Sequence, residues 1–92
     1  TRTGARVFED GRIFTIDYAA HPALGTEPDR IEVRVSTSAG EISSQLLQRN
    51  PATGGMRLDF TLKGDARVAE LRAELWRNGR PVAEVWVNRW VA

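Results

Sequence analysis

In three stretches of the chain, apolar and polar residues change places at every step. In "GRIFTIDYA", Phe14, Ile16 and Tyr18 alternate with Thr15 and Asp17. In "IEVRVSTS", Ile31, Val33, Val35 and Thr37 oppose Glu32, Arg34 and Ser36. The clearest case is "MRLDFTLK", where Met56, Leu58, Phe60 and Leu62 oppose Arg57, Asp59, Thr61 and Lys63. A period of two sends successive side chains to opposite faces, so each stretch predicts a strand with one face in a core and one in water. "EISSQLLQ" alternates less cleanly and predicts a weaker strand. Between these runs lie turn-forming clusters: "HPALGTEPD", "SAGE", "RNPATGG" and "KGDA". Asp10-Gly11 sits between apolar pairs in "VFEDGRIF" and favours a tight hairpin, which predicts a short first strand over residues 6 to 9.

Residues 68 to 76, "VAELRAELW", carry two competing signals. Val68, Leu71 and Leu75 fit helical spacing, and Ala, Glu, Leu and Arg are good helix formers. Immediately after them stands Asn78-Gly79, a strong short hairpin signal, followed by the β-branched and aromatic run "VAEVWVNRWV". A hairpin needs a strand on both sides of its turn, so residues 68 to 77 are expected as a strand. Counting outward from a two-residue loop sets Leu75 against Val82, Ala73 against Glu84 and Leu71 against Trp86. That places Leu71, Leu75, Trp86 and Trp90 on the core face. Trp76, Glu74, Arg72 and Glu70 fall on the outer face with Pro81, Ala83, Val85 and Val87. Such short strands joined by turn-rich loops predict an all-β fold, an immunoglobulin-like antiparallel β-sandwich of about six or seven strands, with a small barrel as the alternative.

The candidate chemistry is sparse. In "RNPATGG", Pro51 fixes its own backbone angle and biases Asn50 to an extended one, while Gly54 and Gly55 permit positive angles. This describes a strand-to-strand turn, since a phosphate loop would need Lys with Ser or Thr opening a helix. His21 is the single histidine, which excludes a multi-histidine metal site and makes a solvated turn residue the expectation. Acids suited to glycoside cleavage would have to face each other across a cleft. Glu70, Glu74, Asp17, Glu32 and Asp59 fall on outward positions instead. Glu84 alone is aimed inward by the counted register, next to Ala73, and is expected near the sandwich end, reaching water or Arg89. Trp86 and Trp90 are expected in the core. Trp76, with Arg72 and Glu74 beside it, is the candidate contact for a carbohydrate or a neighbouring domain.

Composition narrows the classes further. Ninety-two residues make one domain, given typical single cores of about 100 to 150 residues. Thirteen basic and twelve acidic residues are interleaved and leave a net charge of +1, which argues against a nucleic-acid footprint. No apolar run approaches the roughly 20 residues of a membrane-spanning helix. With no cysteine there is neither a disulfide framework nor a thiolate metal site, and no cofactor is expected. The opening "TRTGARVFED" lacks the apolar core of a leader, which leaves a cytosolic protein or a mature or excised piece of something longer.

Two segments carry a family resemblance. "LLQRNPATGGMRLDFTL" and "ELRAELWRNGRPVAEVWVNRW" resemble the carboxy-terminal end of the periplasmic glucan biosynthesis protein G and D family, and "RIFTIDYA" resembles the first strand of the same domain. Met56, and Asn88-Arg89-Trp90 at the end, depart from the family pattern at packing positions. The resemblance implies an exported protein, made with a signal in its precursor, that acts in the periplasm on osmoregulated glucans with β-1,2 backbones and β-1,6 branches. It implies that residues 1–92 are an immunoglobulin-like carboxy-terminal domain, with residues 1–5 the remnant of a linker. The implied partner is the amino-terminal glucan-handling domain, where the family's acids reside, so no catalytic residue is expected here. β-Glucan itself is the second candidate partner, through Trp76, and a self-sufficient hydrolase is the least supported reading.

Overall fold

The computed structural model describes residues 2–8, 11–64 and 67–91. The strands are β1 (Arg2–Phe8), β2 (Gly11–Tyr18), β3 (Glu32–Thr37), β4 (Glu41–Arg49), β5 (Met56–Lys63), β6 (Val68–Arg77), the two-residue β7 (Arg80–Pro81) and β8 (Trp86–Val91). A 3-10 turn, Pro28–Arg30, interrupts the β2–β3 connection. Every pairing is antiparallel, in one sheet ordered β1-β2-β5-β4 and a second in which β6 lies between β3 and the β7/β8 arm. This is the constant-type strand order of an immunoglobulin-like sandwich.

The alternation in the sequence becomes the core. Phe14, Ile16 and Tyr18 from β2, Met56, Leu58, Phe60 and Leu62 from β5, and Ala69, Leu71, Ala73 and Leu75 from β6 are all buried. Burying each large side chain among them contributes about 1.5–3 kcal/mol. Phe14 and Phe60 stack at 5.3 Å, and the Trp86 ring meets both edge-on, at 6.5 and 5.9 Å, from the opposite sheet. The small residues of β6 make room for it: Ala73 stands opposite Trp86 and Ala69 opposite Trp90. Small against large across two strands fills the layer without strain.

Residues 68 to 77 are a strand. Tertiary pairing overrides their helical propensity, and Val68, which a helix would have turned inward, is 42% exposed. The turn after them has positive backbone angles at both central residues, φ 53° at Asn78 and 74° at Gly79, as a type I′ hairpin requires. Beyond it the counted register holds only as far as Val82, whose amide bonds the Leu75 carbonyl. Residues 83–85 then leave the ladder, and pairing resumes two residues out of step, with Ala73 against Trp86 and Leu71 against Asn88. An even slip preserves the faces, so Trp86 and Trp90 stay inward and Val87 outward while the individual partners change; Ala83, expected on the outer face, instead leaves the ladder and packs against the core. Glu84 is corrected with them. It sits in the detached segment rather than inward beside Ala73, but there it reaches water at an end of the sandwich, as expected, while Arg89 pairs with Glu70.

Two further expectations are revised. β1 spans Arg2–Phe8 and pairs with β2 along its whole length, so it is longer than residues 6 to 9, and residues 2–5 belong to the sheet rather than to a linker. Gly11 lies within β2 opposite Phe8, and Asp10, the other half of the expected turn, lies outside the described residues. The poor alternation of β4 has a local cause. The pairing jumps from Ile42↔Leu62 to Ser44↔Thr61, so Ser43 is an extra residue in a bulge. Ile42 and Leu47, an odd number of positions apart, thereby both reach the core.

Candidate functional site

The outer face of the second sheet gathers the residues singled out from the sequence. β6 carries Arg72, Glu74 and Trp76 on one face, and β3 sets Glu32 opposite Trp76 and Arg34 opposite Glu74. Arg72 donates from Nε and Nη2 to Glu74 Oε1 at 3.0 and 2.7 Å, and the Trp76 indole N–H donates to Glu74 Oε2 at 3.0 Å. Those hydrogen bonds, Arg72 first and Trp76 second, hold the Glu74 carboxyl below its ordinary range, helped by the charges of Arg72 and Arg34. Glu74 is therefore an ionised acceptor, unsuited to general-acid work. Arg34 lays its guanidinium over the Trp76 ring, 4.2 Å from the centroid, while its Nε bonds Glu32. One ring face is thus already occupied by a cation–π contact worth about 0.5–1 kcal/mol at an exposed site. Arg34 is the member that sequence reasoning missed, because the β3–β6 pairing joins distant segments and cannot be counted outward from a turn.

A second feature lies at the end of the sandwich where β2 stops and β3 begins. A cleft of about 650 Å³ opens between residues 18–24 and 81–84. Its walls are small and apolar, with His21 and Glu84 also present in the lining. His21 is a turn residue, as expected: its Nδ1 accepts from the Ala23 amide, and its carbonyl accepts from Leu24 and Gly25. Tyr18 is 4% exposed, and its hydroxyl has no hydrogen-bond partner among the described residues. Burial pushes its pKa up to about 12, so the hydroxyl remains a donor across the ordinary pH range. A buried donor left unpaired costs about 1–3 kcal/mol.

Several other polar side chains engage in pairs. Arg57 grips Asp17 through two hydrogen bonds, Thr15 donates to Asp59, and Arg89 lies 3.6 Å from Glu70. Arg12 stacks over the Trp90 ring at 3.9 Å and bonds the Gly64 carbonyl. Among the described residues no three acids or histidines gather in a way that could hold a metal ion. The Asn50–Gly55 loop keeps its donors to itself. The amides of residues 52 to 55 bond Asn50 and Thr53 oxygens, and Gly55 packs so close to the Tyr18 carbonyl that a Cβ there would collide with it. With those amides consumed the loop is a turn and not an anion cradle.

Strand order, core and surfaces together define the class: an immunoglobulin-like β-sandwich domain. Within that class, residues 1–90 match the family described as "Periplasmic glucan biosynthesis protein, MdoG", and the chain belongs to this family. Curated relatives agree. Glucans biosynthesis protein G of Rhodopseudomonas palustris (strain BisA53) is 40% identical over 90 residues, covering 98% of this chain and 18% of the relative. The protein of the same name from Bradyrhizobium diazoefficiens is 41% identical over 93 residues, again covering 98% of this chain and 18% of the relative. That of Vibrio cholerae is 45% identical over 84 residues, covering 86% and 14%. The chain thus spans less than a fifth of the length of these relatives and corresponds to their carboxy-terminal domain. No described helix is long and apolar enough to cross a membrane.

Proposed function

We propose that this is the non-catalytic carboxy-terminal domain of a periplasmic protein of osmoregulated glucan biosynthesis, and that it packs on and supports the glucan-handling amino-terminal domain. The observation that carries this reading is the family match over residues 1–90, in relatives of which the chain makes up 14 to 18% of the length. The surface chemistry agrees with it: Asp17, Glu32, Asp59, Glu70 and Glu74 are held one by one by arginines or a hydroxyl on sheet faces. None of them is paired with a second acid across a hollow, as glycoside cleavage would require. The full-length protein without residues 1–92 is expected to lose stability and periplasmic glucan output. Undiminished output from the truncated protein would refute the assignment.

A second reading is favoured by one specific observation, the cluster of Trp76, Arg72 and Glu74 on the outer face. An indole flanked by ionised hydrogen-bonding groups suits the apolar face and hydroxyls of a sugar ring. A glucose unit stacking there would have to displace Arg34 from the ring or approach by the ring edge. Titration of the labelled domain with linear β-1,2-glucan is then expected to shift the amide signals of residues 34 and 72–76. Unmoved signals at millimolar sugar would eliminate this reading.

A further inference from the structure

The two termini of the described chain lie at opposite ends of the sandwich. Arg2 pairs with Asp17, so polypeptide preceding β1 arrives beside Tyr18, at the end that carries the cleft. Val91 pairs with Val68, so polypeptide following β8 departs at the other end. Because this chain corresponds to the carboxy-terminal portion of relatives several times its length, the greater part of such a protein precedes β1 and is delivered to the cleft end.

What it meets there is suited to a protein surface. Ala20 and Ala23 on one side and Val82 and Ala83 on the other are short apolar side chains that admit a neighbour's larger ones. Residues 83–85 stand outside the β6 ladder. Tyr18, one of the cleft's lining residues, has a buried hydroxyl for which the described residues supply no acceptor. The opposite arrangement holds on the outer sheet face, where Arg34, Glu74 and Arg72 already have their partners.

We propose that the cleft between residues 18–24 and 81–84 is the seat of the preceding domain of the same polypeptide, and that seating it brings an acceptor to the Tyr18 hydroxyl. This rests on the reading that the domain packs on an amino-terminal partner, and it names the surface by which it does so.

The test uses the full-length protein with a photo-crosslinking residue at Ala20, at Ala83 or, as a contrast, at Arg72, the crosslinked peptides being mapped by mass spectrometry. Intramolecular crosslinks into the preceding domain from positions 20 and 83 but not 72 are expected. Crosslinks from 72 alone would overturn the assignment of the cleft while leaving packing itself intact. Crosslinks from none of the three would overturn both. Tyr18→Phe supplies an independent arm. In the 92-residue chain, removal of an unpaired hydroxyl is expected to leave the melting temperature unchanged or raised. In the full-length protein, loss of the acquired hydrogen bond is expected to speed proteolytic separation of the domains by about five- to tenfold. Equal behaviour of the variant in both settings would overturn the hydroxyl's role.

Discussion

Gly55 shows how tightly one position can be specified. A Cβ there would run into the Tyr18 carbonyl oxygen and the Ala19–Ala20 backbone, so even a methyl group must push apart the ends of β2 and β5. The obstacle is main chain, which cannot rotate away as a side chain would. Gly55→Ala is therefore expected to destabilise the domain by roughly 2–4 kcal/mol, near the upper end for a single substitution. Gly54→Ala suffers instead from the positive φ of 76° and is expected to lose about 1–2 kcal/mol. Urea titration of the two variants measures the difference, and a Gly55→Ala variant as stable as the native chain would refute the packing argument. The Gly-Gly pair was legible in the sequence as a turn. The division of labour within it, one glycine for dihedral freedom and the other for close approach, was not, because the second depends on where a distant strand ends.

At the scale of elements, the β6–β7 turn is the local signal that marks residues 68–77 as a strand. Asn78 is the one described residue other than glycine with a positive φ, 53°, a conformation that asparagine tolerates and alanine resists. Asn78→Ala is expected to cost about 1 kcal/mol, visible as a lower denaturant midpoint at unchanged m-value. An unaltered midpoint would mean that the turn does not specify the hairpin. What lay beyond the turn was harder to read. The faces of β6 and β8 were legible because side chains alternate with a fixed period, and a slip of two residues leaves that alternation intact. The partners of Ala73 and Leu71 were not legible, since nothing in "PVAEVW" announces that residues 83–85 leave the ladder. The bulge at Ser43 hid β4 in the same way, by placing the apolar residues Ile42 and Leu47 an odd number of positions apart.

Across the whole molecule, the burial of Tyr18 ties stability to alkaline pH. In the unfolded chain its hydroxyl ionises near the ordinary 10.0, and in the folded domain near 12. Unfolding above pH 10 therefore releases a proton. The contribution is fully present below pH 10 and is lost as pH rises through about 12. Thermal melts between pH 8 and 12 are expected to fall across that window for the native chain and to fall less for Tyr18→Phe; coincident curves would show that the tyrosine is not the group responsible. The sandwich, its inner faces and the family were all legible in the amino-acid sequence, through periodicity and the residues quoted above. The Arg34–Trp76 stack and the cleft were not, because each is made by segments far apart in the chain that meet only once the strands are assembled.

The separation of the chain's entry and exit has a practical corollary. A dye or affinity handle appended after Val91 rides at the pole remote from Tyr18, and so can report the tumbling of the domain, tethered or loose, without touching the cleft.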